Sequence, residues 1–183
     1  MDNSLNDNFY VFLDYNLTFL KDQIWIYNRM LAISINQLHP RNIIFGKRMK
    51  NNIMEDSDYV SIIYSTPTFT MSNLCFSFML VPDHFSIKYN RCKMIFNSTT
   101  DENDKVIQLI KKIEYTLLTK YSTKTPVLHL GDAMQEGHIK VHNYNEKNTQ
   151  TTKELPYKRF VMKISGIWET LGEVGIIYKC YLL

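Results

Sequence analysis

The sequence predicts an α+β fold: a curved antiparallel sheet, curled towards a partly open β-barrel, with one long amphipathic helix packed on it. Three observations carry this expectation. Over 101–121, Val106, Ile110, Ile113, Leu117 and Tyr121, widened by Leu109 and Leu118, recur at helical spacing. Between 59 and 96, short runs of β-branched and aromatic residues alternate with tight breakers, the pattern of an antiparallel meander. From 159 to 182 two alternating apolar runs flank a turn. Gly166 interrupts the first of them, where a bulge would bend the sheet.

In chain order, a polar start precedes Phe9-Tyr10-Val11-Phe12-Leu13, which reads as a first strand. Ile24-Trp25-Ile26-Tyr27 and Met30-Leu31-Ala32-Ile33-Ser34-Ile35 read as two more, with a turn at Asn28-Arg29. The stretch 36–58 is polar, contains His39-Pro40 and the basic cluster Gly46-Lys47-Arg48-Met49-Lys50, and reads as a loop or lid. Strands are then expected at 59–64, 74–80, 85–89 and 92–96, separated by Ser65-Thr66-Pro67, Pro82-Asp83-His84 and Asn90-Arg91. Thr99-Thr100-Asp101-Glu102 matches a capping box for the helix, with Thr99 as the cap. Asp101, Glu102 and Asp104 complement the positive end of its dipole, and Lys124-Thr125-Pro126 stops it. Short strands are expected at 127–130 and 138–142 around a turn at Gly131 and Gly137, followed by a polar loop over 143–156. In the final hairpin Phe160, Met162, Ile164 and Trp168 should share one strand face, and Val174, Ile176, Tyr178, Cys180 and Leu182 one face of its partner. The arrangement is that of an OB-like barrel, the oligonucleotide-binding form.

The length of 183 residues fits a single domain over 1–183. A chain of this size buries roughly 70% of its unfolded surface, so it needs no metal or disulfide staple. The three cysteines, Cys75, Cys92 and Cys180, are odd in number, widely spaced and set among apolar residues, which predicts buried free thiols in a reducing compartment. The first eight residues are polar and acidic, so a secretory leader is not expected. The longest apolar run, over 74–81, is too short to span a bilayer, and no membrane partner is expected. A net charge of +3 permits contact with a polyanion without demanding it.

The sequence carries no phosphate-cradling glycine loop, no Gly-x-Ser-x-Gly elbow and no Cys-x-x-Cys pair. No catalytic residues, cofactor or metal are therefore assigned, and a non-enzymatic protein is expected. His138 and His142 have the spacing of zinc ligands only on a helix; on a strand they would lie about 13 Å apart, too far for one ion. Asp83-His84 follows Pro82 in a turn, and Glu169 and Glu173 read as exposed residues at the hairpin turn.

Binding has more support. Basic residues are interleaved with aromatics: Phe45 with Lys47, Arg48 and Lys50; Lys88-Tyr89 with Arg91 and Lys93; Tyr157-Lys158-Arg159-Phe160; and Tyr178-Lys179. A groove for single strands needs this mixture, cations tracking phosphates while Tyr89, Trp168 and Tyr178 stack on bases at about 1–3 kcal/mol each. Any strand with one wet face yields the same alternation, so the chemistry depends on whether these side chains converge. Neither a helix-turn-helix nor an RNA-binding aromatic signature is visible, and sequence-specific readout is not expected.

Ile113-Glu114-Tyr115, Lys124-Thr125-Pro126-Val127, Gly137-His138-Ile139-Lys140-Val141, Lys163-Ile164-Ser165-Gly166-Ile167-Trp168-Glu169-Thr170 and Gly175-Ile176-Ile177-Tyr178-Lys179 together resemble a poorly characterised family of small proteins from large nucleocytoplasmic DNA viruses. The resemblance covers about 106–179 and is most specific in the Ile164–Thr170 string. It implies kinship with viral single-stranded-DNA-binding proteins, a place in the host cytoplasm or nucleus at the viral factory, or in the virion, and no catalytic residues. The alternative it leaves open is a viral structural protein acting through protein–protein assembly, with self-association as a homo-oligomer.

Overall fold

The computed structural model describes residues 17–20, 24–27, 30–89, 91–142 and 157–183. The strands are β1 (Leu17–Leu20), β2 (Ile24–Tyr27), β3 (Met30–Ser34), β4 (Ile43–Lys50), β5 (Asp58–Ser65), β6 (Thr70–Met71), β7 (Leu74–Leu80), β8 (His84–Lys88), β9 (Arg91–Ile95), β10 (Thr125–Val127), β11 (His138–His142), β12 (Lys158–Glu169) and β13 (Glu173–Leu182). The helices are α1 (Asp101–Tyr121) and α2 (His129–Gln135). All thirteen strands belong to one sheet, whose main path is β1-β2-β3-β7-β12-β13-β11-β9-β8.

The fold is α+β as expected, but the sheet is mixed rather than purely antiparallel. β3 runs parallel to β7, and β10 and β11 run parallel to β13. Nor do the described strands close into a barrel: the path ends at β1 and at β8. The partners of each parallel pair are separated in sequence by intervening strands, β4–β6 between β3 and β7 and β12 between β11 and β13, which lets the chain re-enter the sheet in the same direction. A second helix, α2, occupies 129–135, where a strand and a turn at Gly131 were expected. The stretch 36–58, expected as a loop, holds β4, which pairs antiparallel with β5. Ile43 is buried at its start, while most of the strand is exposed, so its composition resembles a loop. The expected first strand at 9–13, the turn at Asn28-Arg29 and the loop at 143–156 lie outside the described residues, and β1 was not anticipated.

Gly166 does mark a bulge, and the bulge organises the sheet. Before it, β12 pairs with β7 from Lys158↔Leu80 to Ile164↔Leu74. After it, β12 pairs with β5 from Gly166↔Ser61 to Glu169↔Asp58. The extra residue reverses the alternation. Phe160, Met162 and Ile164 point into the core, but beyond the bulge Ile167 and Glu169 take that side. Trp168 therefore does not share the face of Phe160, Met162 and Ile164.

One apolar cluster fills the space between sheet and helix. Ile107, Ile110, Ile113, Leu117 and Leu118 of α1 meet Met94, Ile139, Val141, Phe160, Met162, Ile164, Val174 and Cys180 of the strands. Val106, Leu109 and Tyr121 form the margin of this stripe. Cys75, Cys92 and Cys180 are all free and buried. The capping box does not form. Thr100 is the N-cap and makes no side-chain cap bond, while the Thr99 hydroxyl donates to Asn97 Oδ1 at 2.8 Å. Asn103, 1% exposed, holds the helix start instead: it donates to the carbonyls of Val81 and Asn97 and accepts from the Val81 amide. At the other helix pair, fully buried Glu114 of α1 accepts from the Leu130 and Gly131 amides at the start of α2.

Candidate nucleic-acid interface

The strands that pack on α1 turn their alternate residues outward, and register decides which of these meet. Lys93 on β9 lies directly opposite Lys140 on β11. β11 and β13 pair Val141 with Cys180, so one step back in register Lys140 adjoins Lys179. Lys179 in turn lies opposite Lys163 on β12. Four lysines thus form a row across four neighbouring strands, about 15 Å long at the usual interstrand spacing. Lys88 and Arg91, paired at the end of β8 and β9, stand in the adjoining row on the same face. Like charges placed directly opposite repel, and β8, β9 and β11 contain no Asp or Glu to offset them.

Aromatic and imidazole groups flank the row. His142 and Tyr181 are register partners with ring centroids 5.9 Å apart and planes at 45°. His138, like His84, is paired with Ile95. Further along β12, Trp168 stands on this outer face with its ring over Gly175, opposite Tyr59 of β5. The Tyr59 hydroxyl donates to the Ser165 carbonyl at 2.9 Å, which fixes that ring beside the bulge. The face becomes buried towards β7, where Val161, Cys75 and Ser77 lie, so the open part is the end made of β8, β9, β11 and β13.

Burial, then the charge of Lys93, lowers the pKa of His138, with Glu136 opposing at 3.7 Å. Burial, then Lys140 and Lys179, lowers that of His142. The imidazoles therefore register the positive field of the row.

The sequence-predicted residues divide between two faces. Lys88, Arg91, Lys93, Lys179 and Trp168 share the outer face. Tyr89 projects from the β8–β9 turn, 88% exposed at φ 50°, with Lys88 Nζ 5.6 Å from its ring centroid. Arg159 stands on the outer face beside Met79, its Nη2 3.8 Å from the Met79 sulfur. Lys158 alternates with it and lies on the helix side. Tyr178 also faces the helix side, where burial and the nearby Glu114 raise its pKa, so it is not placed to stack on a ligand of the outer face. Lys47, Arg48 and Lys50 lie on β4, separated from β9 by β5, β12, β13 and β11. They do not continue the row.

Arg48 and Lys50 line a separate cleft on the helix side, with Asp56, Asp58, Lys124 and Glu169. Glu169, expected at an exposed turn, is only 3% exposed. Its carboxylate accepts from Arg48 Nη2 at 2.6 Å, Lys124 Nζ at 2.6 Å and the Tyr121 hydroxyl at 2.5 Å. Burial alone would raise its pKa; the hydrogen bonds from Lys124 and Tyr121 and the charges of Arg48 and Lys124 outweigh that and hold it low. Cations and carboxylates balance here, so the group fastens β4, β12 and the end of α1 and leaves Arg48 little capacity for a phosphate.

Nothing in the order of residues singles out Lys140 and Lys163. His138-Ile139-Lys140-Val141-His142 does signal a strand with three polar residues on one face, but only register shows that this face continues Lys93 and Lys179. Among the described residues no group of three or more His, Cys, Asp or Glu is placed to hold a metal ion. Among the same residues, no helix is long and apolar enough to cross a membrane. No family model matches the chain, and neither a curated protein nor a solved structure matches it.

Proposed function

We propose that the outer sheet face binds single-stranded nucleic acid, without base preference and without catalysing a reaction on it. The observation that carries this reading is the lysine row Lys93–Lys140–Lys179–Lys163, with Lys88 and Arg91 beside it and no acid on the three outermost strands. A phosphate backbone lying across the strands would neutralise the repulsion within the row. The rings of Tyr181 with His142 and of Trp168 with Tyr59 stand on either side of it, where unpaired bases could stack. The resemblance to proteins of large DNA viruses agrees with this reading, which makes DNA the first ligand to test.

The test is a fluorescence-anisotropy titration with a labelled single-stranded oligonucleotide across a salt series. Each phosphate contacted contributes roughly −0.7 to the slope of log K against log salt, so four to six cations give a slope of about −3 to −4. Lys140→Glu and Lys179→Glu should each weaken binding by about tenfold or more, since each reverses a charge inside the row. Lys50→Glu, on the other face, should change it little. Absence of a salt-sensitive complex, or equal losses in all three variants, removes the proposal.

A second reading, a virion or assembly protein, is favoured by exposed apolar side chains away from the row. Ile53 is 97% and Leu171 96% exposed at two hairpin turns, and Ile44 and Met49 are about half exposed on β4. Sedimentation that shows self-association in wild type, lost in Ile53→Ser with Leu171→Ser, would support it.

A further inference from the structure

Three of the chain's five histidines stand on the outer face, within one small patch. His84 and His138 are both register partners of Ile95, so they bracket it in one row. The next row holds Lys93, Lys140 and Lys179. The third holds Lys88 and Arg91 and, on the same side of β11 and β13, His142 and Tyr181. Lysine and histidine therefore alternate across the surface instead of occupying separate regions. We infer that polyanion binding at this face is linked to proton uptake by His138 and His142, so that acidification tightens it. The inference rests on the binding reading above and names a regulation of the same site.

The argument is electrostatic. His142 faces Lys140 on its own strand, Lys179 and Tyr181 on β13, and Arg91 at the neighbouring end of β9. His138 faces Lys93 on β9, Lys140 on its own strand, His84 beyond Ile95, and the Glu136 carboxylate at 3.7 Å. His84 is exposed, at the sheet edge after Asp83. In the free protein burial, and after it the surrounding lysines, oppose protonation of His138 and His142 and lower their pKa. Phosphates laid along the lysine row replace that positive field with a negative one, and the pKa of each ring rises. A ring neutral in the free protein and protonated in the complex takes up one proton. Affinity then changes by up to about tenfold per pH unit for each such proton while the pH lies between the two pKa values. With Glu136 holding part of the charge on His138, His142 should respond most.

The experiment is the same titration on the full chain with an oligothymidylate, whose bases do not protonate in this range, at pH values from about 8 to about 5.5 at fixed salt. Binding should tighten at least tenfold on acidification. The double variant His138→Gln, His142→Gln, whatever its affinity at about pH 8, should lose the tightening between about pH 8 and about 5.5. Imidazole proton NMR on wild type supplies an independent readout: the pKa values of His138 and His142 should rise when oligothymidylate is added, most for His142. Binding at high pH that neither tightens on acidification nor moves the imidazole pKa values overturns the linkage and leaves the binding reading intact. Tightening that survives in the double variant also overturns it. No complex at any pH overturns both.

Discussion

Glu169 and Glu114 are buried carboxylates with opposite surroundings, and they make opposite contributions to stability with pH. Glu169 is held low by Lys124, Tyr121 and Arg48. Its contribution is present above the carboxyl's unfolded pKa and is lost as pH falls through the depressed folded value. Glu169→Ala leaves Lys124 and Tyr121 without their acceptor and should cost about 1–3 kcal/mol in denaturant unfolding near neutrality, less than a fully enclosed pair because Arg48 and Lys124 remain partly in water. Glu114 is the reverse case. Burial raises its pKa to about 7 against two backbone amides that lower it. The folded protein then holds a proton that the unfolded chain releases above about 4.5, so this contribution is fully present at low pH and disappears as pH rises through about 7. Unfolding measured from about pH 5 to 8 should show wild type losing stability relative to Glu114→Gln, in which nothing titrates at this position. A flat difference between the two would contradict the burial assigned to that carboxyl. Neither role was legible from sequence. Glu169 adjoins a turn, and Glu114 interrupts a helical stripe whose apolar members alone define the period.

At the scale of elements, β12 depends on two close approaches that exclude a side chain. A Cβ on Gly166 would fall 2.5 Å from the Val60 carbonyl oxygen, and one on Gly175 2.5 Å from Trp168 Cε2. Backbone cannot move aside as a flexible side chain does. Gly166→Ala should therefore destabilise by about 2 kcal/mol or more through strain at the junction where β12 exchanges β7 for β5. Gly175→Ala should displace the Trp168 ring, read as a shift in tryptophan emission with a smaller loss of stability. An unchanged emission spectrum in Gly175→Ala would mean that the ring does not rest on that glycine. The bulge itself was readable, because a lone glycine in a strand has few other uses. Its consequence was not: inserting one residue reverses every side chain beyond it, so Trp168 stands on the wet face. α1 was readable over its full length because an amphipathic period is a local property. α2 was not, being seven residues long and held by Glu114 from another helix.

Over the whole molecule, β12 joins the β4–β5 branch, the β1–β2–β3–β7 side and the β13–β11–β9–β8 side, and one apolar cluster underlies all three. Unfolding should therefore be a single transition, with far-UV dichroism and tryptophan emission changing together. Two separated transitions would show that one wing folds independently of the core. The α+β class, the long helix, the closing hairpin and most strands between 59 and 96 follow from the order of residues, because periodicity and turn chemistry act over a few neighbours. The candidate interface could not follow from that order. Its rows combine residues from β9, β11, β13 and β12, which are distant in sequence. They meet only because parallel pairing of β11 with β13 and antiparallel pairing around them bring every second residue into line. Strand alternation set which residues face outward; the long-range hydrogen-bond register alone decided which cations stand side by side.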